Sequence, residues 1–526
     1  MVIFKSFVLS LMVITIDVII VTNGADILVA LFMPAASSHT KSMSAIAGAL
    51  TRRGHNVTVL TSSFAETKGF QRNTYTSAVH YKFNDVPQAL ATEKVILKLA
   101  FETSVIDKLT ALGKAFSLMR SSCESFFEDY EMLALLKKSR FDIIIGDSFD
   151  ACDALLSNFL GVPNIAVTTS ARYPFFNEHL YGIPSPSSYV PFGLFPLSDR
   201  MSFFERISSF LEHHVAINLM GMIHFRALNK VKDKHGIAPG RSIPDLIGGA
   251  ELWMSMSHLA FDYPHPTAPN WVAIGSIADA PAKPLEKEFK AFVDGSGEHG
   301  FIVFSLGTYF TELPKEEMAE AFARVFSELP QRVIWRYTGP HPRHLGNNTM
   351  IVDSWLPQSD LVGHPKARLL IYHGGLAGVM EAIYHAVPMV IMPIFGEQES
   401  NALRVEVRGM GKRLQKDSLS YEIIKAAVTE VMDNPSYSEN IRRSSRLYAD
   451  RQTETDETVV FWVEHILKFG GSHLRSRALE LSFIQLHSID VLAFIVGIAL
   501  VIVLLMYACC KRCLSCCSKK RKSKVE

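Results

Sequence analysis

The sequence predicts an α/β protein of two doubly wound domains facing a cleft, with one C-terminal transmembrane helix. Three observations lead there. Short unbroken apolar runs alternate with helical stretches in both halves; a proline-rich seam, Ala280-Pro-Ala-Lys-Pro284, separates the halves; and 20 uncharged residues, Val491 to Cys510, run directly into Lys511 and Arg512. The 526 residues suit two to four folded units at about 100–200 residues each. Hydrophobic and charged fractions of 48% and 20% exclude a disordered or collagen-like chain. The 53 basic and 52 acidic residues nearly cancel, which argues against a nucleic-acid partner. Seven of those bases lie between Lys511 and Lys524, so the basic character belongs to the tail.

Residues 1–24 read as a signal peptide: Lys5, an apolar stretch Phe7 to Ile16, then the small or polar exit Thr22-Asn-Gly24. The first domain, 25–280, opens with Ile27 to Phe32, an unbroken apolar run suited to a parallel strand buried on both faces. A helix over Ser42 to Arg53 follows, Gly54 ends it, and Val57 to Leu60 is the next strand. The pattern returns with Phe141 to Gly146, a helix from Ala151 to Leu160, and a strand Ile165 to Val167. Short turns between strand, helix and strand imply right-handed crossovers and a parallel sheet. The Pro-, Ser- and aromatic-rich stretch Tyr173 to Pro196 is expected to loop over the cleft.

The second domain, 281–445, starts with a helix near Leu285 to Val293 and the strand Phe301 to Phe304. Strands at Val333 to Arg336, Met350 to Val352, Leu369 to Tyr372 and Met389 to Met392 follow, with a helix over Gly375 to His385. Residues 446–488 are a helical return segment, 491–510 the membrane span and 511–526 the tail. Twenty apolar residues cross a bilayer core of about 30 Å, and the basic flank marks the cytosolic side, so the body is expected in the lumen. Five of seven cysteines (509, 510, 513, 516 and 517) crowd the membrane exit; only Cys123 and Cys152 lie in the body, so no disulfide scaffold is expected. Glycosylation sequons stand at Asn56 and Asn347; Asn56, at the start of an apolar strand, is expected to be too buried, and Asn347, in a turn, is the better acceptor.

Gly295-Ser-Gly297-Glu-His-Gly300 satisfies the glycine spacing of a dinucleotide site. That site needs a preceding strand and a following helix. Here the order is reversed, which removes most of the case for an oxidoreductase.

The stretch Asp353 to Asn401 carries the chemistry. His373-Gly374-Gly375 sits between an apolar strand and a helix, so free N–H groups and a helix dipole face the strand end; such a place favours phosphate. Trp355 offers a flat face for a base, Gln358 a donor–acceptor pair for a uracil edge, and Glu381 an acceptor for ribose hydroxyls. Glu397 and Gln398, after the next strand, suit sugar hydroxyls.

This segment resembles the signature of the UDP-glycosyltransferases, and the layout of nearly the whole chain is similar to the membrane-bound UDP-glucuronosyltransferases. The resemblance implies a GT-B fold of two Rossmann-like domains, an amino-terminal one for the acceptor and a carboxyl-terminal one for the UDP-sugar. It implies donor contacts from Ser305, Gly307, Trp355, Gln358, His373, Gly375, Gly378, Glu381, Glu397, Gln398 and Asn401. It also implies a catalytic base, His39, with Asp147 as the carboxylate that orients it and makes it more basic; Asp150 and Asp153 are rivals placed inside the following helix. The co-substrate would be UDP-glucuronate or UDP-glucose, without a metal, and the acceptor a small lipophilic hydroxyl compound bound by 63–140 and 173–196. The lysines third and fifth from the end, Lys524 and Lys522, resemble an endoplasmic-reticulum return signal. An oligomer is compatible with all of this.

Three positions depart from the family pattern: Ala377 replaces a usual Asn, Glu397 a usual Asp, and Met256 an Arg suited to a glucuronate carboxylate, which favours testing UDP-glucose as donor. The alternative reading is a silent, membrane-anchored protein that binds UDP-sugar or lipophilic ligand without turnover.

Overall fold

The computed structural model describes residues 24–522 apart from 33–37, 68–74, 103, 149–150, 169–179, 181, 194, 278 and 309. The signal-peptide reading therefore lies outside the described residues. Residues up to Arg475 form one compact unit and those from Ser476 a second.

The first unit holds two parallel sheets. The first has the order β3-β2-β1-β4-β5-β6-β7 and the second β10-β9-β8-β11-β12-β13. In the first sheet β1 is Asp26–Ala30, β2 Asn56–Ser62, β3 Ser77–Tyr81, β4 Ile143–Asp147, β5 Asn164–Thr168, β6 Leu252–Ser255 and β7 Trp271–Ala273. In the second β8 is Phe301–Ser305, β9 Arg332–Arg336, β10 Thr349–Val352, β11 Ala367–Tyr372, β12 Met389–Ile391 and β13 Gly411–Arg413. Ile27, Leu28 and Val29, Ile143 to Ile145, and Leu369 to Ile371 are each 0% exposed. Central strands covered on both faces must be apolar at every position, which is why these runs do not alternate.

In each sheet the strand order reverses once, between β1 and β4 and between β8 and β11. Crossovers leave in opposite directions at such a switch point and open a crevice at the carboxyl ends of the two strands. Residues 39 and 147 follow or end the first pair, and 305 and 373 the second. Both crevices open onto a cavity of about 710 Å³ lined from both halves.

The helices that matter here are α1 (Ser38–Arg53), α2 (Val86–Ala100), α3 (Val105–Glu128), α4 (Cys152–Leu160), α5 (Leu376–Tyr384), α6 (Gln398–Val407), α7 (Pro435–Ala449) and α8 (Thr455–Phe469). Helix α8 returns to the first half and packs on α1, burying Val459, Val463 and Ile466. Its surface pairs, Arg53 with Glu464 at 2.9 Å among them, add little beside that burial. Helix α1 begins four residues earlier than the sequence suggests, so His39 is in its first turn and not in the preceding loop. Cys123 and Cys152 form a disulfide between α3 and the first residue of α4, a pairing that the sequence reading did not make. Asn56 is exposed, against expectation, and its amide donates to Asp26; Asn347 is exposed as well.

The glycine-rich stretch Gly295 to Gly300 does join the helix Lys287–Asp294 to β8. Gly300 takes φ +71° with the Lys366 carbonyl in the space a Cβ would occupy, a turn requirement and not a phosphate loop.

In the second unit α9 spans Ile489–Lys522, and its segment Ile489–Leu514 is long and apolar enough to cross a membrane, with none of it buried.

Candidate active site

His39 Nδ1 lies 2.5 Å from Asp147 Oδ2, with side-chain exposures of 17% and 2%. A carboxylate can only accept, so Nδ1 carries the proton and Nε2 is the ring nitrogen from which a base would act. His39 lines the cavity. Strand β4 sits beside β1, with Gly146 opposite Ala30, so the Asp that ends β4 and the His that follows β1 converge although 108 residues apart.

Of the rivals, Asp150 lies outside the described residues. Asp153 is buried beneath the end of β4, accepts from Ser148 Oγ at 2.7 Å, and packs where a Cβ on Gly146 would stand. Burial raises its carboxyl to about 6.

Across the cleft, β8 and β11 run side by side with Ser305 opposite Tyr372. Gly307, at φ +84°, leaves the His373 ring the space a Cβ would occupy. Burial lowers His373 to about 3, so it is neutral and meets a ligand as a dipole; its buried Nδ1 has no hydrogen-bond partner among the described residues. Gly375 caps α5 at its amino end without a side-chain cap, leaving the first N–H groups of the helix to whatever fills the cavity. Ala377 lines this turn, and an alanine adds no side-chain hydrogen bond to those backbone donors.

Gly378 lines the cavity too, but its reason is packing: a Cβ would come within 2.3 Å of the Tyr372 ring. Alanine in a helix is worth about 0.5–1 kcal/mol over glycine, whereas overpacking a rigid ring costs about 1–3 kcal/mol. Gly378→Ala is therefore expected to lower the thermal midpoint, which a melting curve reads directly.

Trp355 is 65% exposed and lines the cavity with Gln358. Gln358 Nε2 donates to Glu381 Oε2 at 2.9 Å, so the amide expected to read a base is tied to the carboxylate expected to hold ribose. Glu397 lines the cavity at the start of α6; burial raises its carboxyl above the ordinary range, against the opposing pull of His39 and Arg404. Gln398 Oε1 accepts from the backbone of Ile394 and Phe395 at 2.9 and 3.0 Å, which leaves the NH2 as its offer to a ligand.

Two expectations need correcting. Asn401 does not line the large cavity: its Nδ2 donates to the Gly374 carbonyl at 2.9 Å and its Oδ1 accepts from Arg404, so it braces the His-Gly-Gly turn from behind. Met256 is 4% exposed within the apolar core and does not face the cavity. Sequence reasoning also missed Lys41, whose Nζ lies 2.5 Å from Glu381 Oε1, and Arg336, which lines the cavity and donates to the Gly307 carbonyl at 2.7 Å.

From 63–140 the cavity is lined by the apolar Phe64, Ile96, Leu97, Ala115, Leu118 and Met119 and by one carboxylate, Glu93. Of 173–196, the described residues Tyr189 to Gly193 line a separate small cavity and not this one.

Asp279 sits near Glu381 on the same side. It accepts from Tyr448 and Ser276, each at 2.9 Å, and burial, with the Glu381 charge added, raises it to about 7. Its unfolded value is near 3.8, so between those pH values the folded chain holds a proton that the unfolded chain has released. Stability is thereby present at low pH and lost as pH rises towards 7. Asp279→Asn is expected to flatten the decline of the thermal midpoint between about pH 4 and 7, the window set by the two values, measured on the detergent-solubilised chain; an unchanged slope would remove Asp279 from the account.

The family model described as UDP-glucoronosyl and UDP-glucosyl transferase matches residues 28–524. UDP-glucuronosyltransferase 1A8 of Rattus norvegicus is 36% identical over 503 residues, 94% of this chain and 93% of its own length. UDP-glucuronosyltransferase 1A10 of Homo sapiens is 35% identical over 487 residues, 91% and 90% of the two chains. Among solved structures, a UDP-glucosyltransferase from Polygonum tinctorium superposes with TM-score 0.58 at 15% identity, covering 85% of this chain and 99% of its own. A glycosyltransferase of kitacinnamycin gives 0.57 at 18%, covering 85% and 100%. The architecture is GT-B.

Proposed function

We propose the following reaction for this chain, which belongs to the UDP-glucoronosyl and UDP-glucosyl transferase family and is a UDP-sugar glycosyltransferase: transfer of glucuronate, or glucose, to a hydroxyl of a small lipophilic acceptor with inversion at the anomeric carbon. The observation that carries this reading is the pairing of His39 with a buried Asp147 on one wall of a cavity whose opposite wall is the His373-Gly-Gly turn and the open end of α5.

The acceptor lies against Phe64, Leu97, Leu118 and Met119. His39 Nε2 takes the hydroxyl proton and Asp147 stabilises the imidazolium that forms. The acceptor oxygen bonds to the anomeric carbon as the bond to the β-phosphate oxygen breaks, and the electron pair leaves with UDP. The new charge falls on the N–H groups of α5 and on neutral His373, dipoles already oriented before the reaction. Trp355 stacks on the base, Glu381 accepts from ribose, and Glu397 with Gln398 holds the hexose. The reading uses no metal.

Placement is part of the proposal: a membrane-anchored body in the endoplasmic-reticulum lumen, close to molecules dissolved in the bilayer, with a glycan on Asn347. The test is transfer from labelled UDP-glucuronate and UDP-glucose to a panel of phenols and alcohols in microsomes carrying the full chain. Label in product supports the reading and names the donor. UDP binding without transfer to any acceptor would favour the silent binding protein.

A further inference from the structure

Lys41 stands two residues after His39 in the first turn of α1. Side chains at that spacing leave a helix on different sides, and these two are tied to opposite walls of the cavity. His39 is held by Asp147 of its own sheet, whereas Lys41 reaches Glu381 in α5 of the other half, 340 residues away in sequence. Glu381 is 5% exposed and accepts on Oε1 from Lys41 and on Oε2 from Gln358. Each carboxylate oxygen has a second lone pair, so this clamp fixes the carboxylate plane while leaving acceptor capacity on both oxygens. Around the ammonium lie three carboxylates, Glu381, Asp279 and Asp360, and one imidazole, His385. Desolvation works against the Lys41 charge, but the carboxylates of Glu381, Asp279 and Asp360 together outweigh it and hold the ammonium, whose side chain is 45% exposed, above its ordinary value.

We propose that Lys41 is a positioning residue for the nucleotide donor: it orients Glu381 towards the ribose hydroxyls and fixes the helix that bears His39 against the helix that receives the diphosphate. The assignment deepens the transferase reading and rests on it. Without the ammonium, Glu381 would be a buried carboxylate beside Asp279 with only the Gln358 amide to orient it. The ribose would then meet a carboxylate free to rotate.

The experiment measures binding of UDP and of 2′,3′-dideoxy-UDP by calorimetry to the detergent-solubilised full chain, in the parent, Lys41→Met and Lys41→Arg. Methionine keeps the apolar stem and removes the charge. Lys41→Met is expected to weaken UDP about tenfold, the loss of one charge-assisted hydrogen bond, while leaving the dideoxy analogue, which has no hydroxyls to offer Glu381, at the parent's affinity. Lys41→Arg is expected to recover most of the loss. Equal weakening of both nucleotides would mean a general structural role and would overturn the assignment. So would UDP binding that is unchanged in Lys41→Met, or tighter, as expected if Lys41 only plugs the ribose seat. A parent chain that binds no UDP overturns the transferase reading as well; a parent that binds it beside an indifferent Lys41→Met overturns this assignment alone.

Discussion

His39→Ala is expected to lower sugar transfer by about 10²–10⁴-fold, the range that a positioned general base contributes, while UDP binds with the parent's affinity. The two halves of this expectation come from opposite walls of the cavity. The imidazole belongs to α1 and is oriented by Asp147, whereas the groups assigned to the nucleotide, Trp355, His373 and Glu381, belong to the second sheet and its helices. A base that never touches the nucleotide can be removed without loosening it. Turnover with the labelled donor and UDP calorimetry on the same preparation separate the cases. Loss of both would report a collapsed cavity, and His39→Gln, similar in bulk but unable to act as a base, would then be the better probe. Full transfer by the alanine variant would remove His39 from the mechanism.

What the sequence made legible follows from how much of the signal is local. Strands β1, β4 and β11 are buried on both faces, and burial writes itself as an unbroken apolar run that needs no knowledge of neighbours. His373 stood out by its Gly-Gly neighbours between strand and helix, whereas His39, Asp147 and Ser305 were singled out by the family resemblance and not by the runs they follow or end. Strand β13 escaped because two of its three residues are charged, and β3 because its residues are mostly half-exposed; β6 and β7 went unassigned although β10 and β12, of the same lengths, were found. Contacts made across the chain left no trace at all. Glu381 looks like a hydroxyl acceptor in sequence, but its partner Lys41 comes from the other half, and Asn401 faces the back of the turn because Gly374 and Arg404 claim its amide. Asn56 misled for a related reason: it begins β2 as the one exposed residue of an otherwise buried strand. The Cys123–Cys152 bond could have been found, since these are the only two cysteines in the sequence before the membrane-exit cluster.

Asp147→Asn is the companion experiment, with an expected loss of about 10²–10⁴ in turnover, as when the carboxylate behind a catalytic histidine becomes an amide. The amide keeps the shape but can present an N–H to Nδ1, which favours the imidazole tautomer whose Nε2 carries the proton and so cannot accept one from an acceptor hydroxyl. It also withdraws the negative charge that would stabilise the imidazolium. Because Asp147 is 3% exposed, no solvent charge replaces it. Asp153→Asn is the control that gives this result its meaning. Asp153 lies deeper, bound to Ser148 and raised to about 6 by its burial, and one of the charges that raises it is Asp147 itself. Its replacement by a neutral amide relieves that repulsion and touches nothing in the cavity, so transfer should stay near the parent's level while stability at neutral pH rises. If instead Asp153→Asn abolished transfer and Asp147→Asn spared it, the orienting carboxylate would have been placed six residues too early, and the path from acceptor proton to buried charge would run through Ser148.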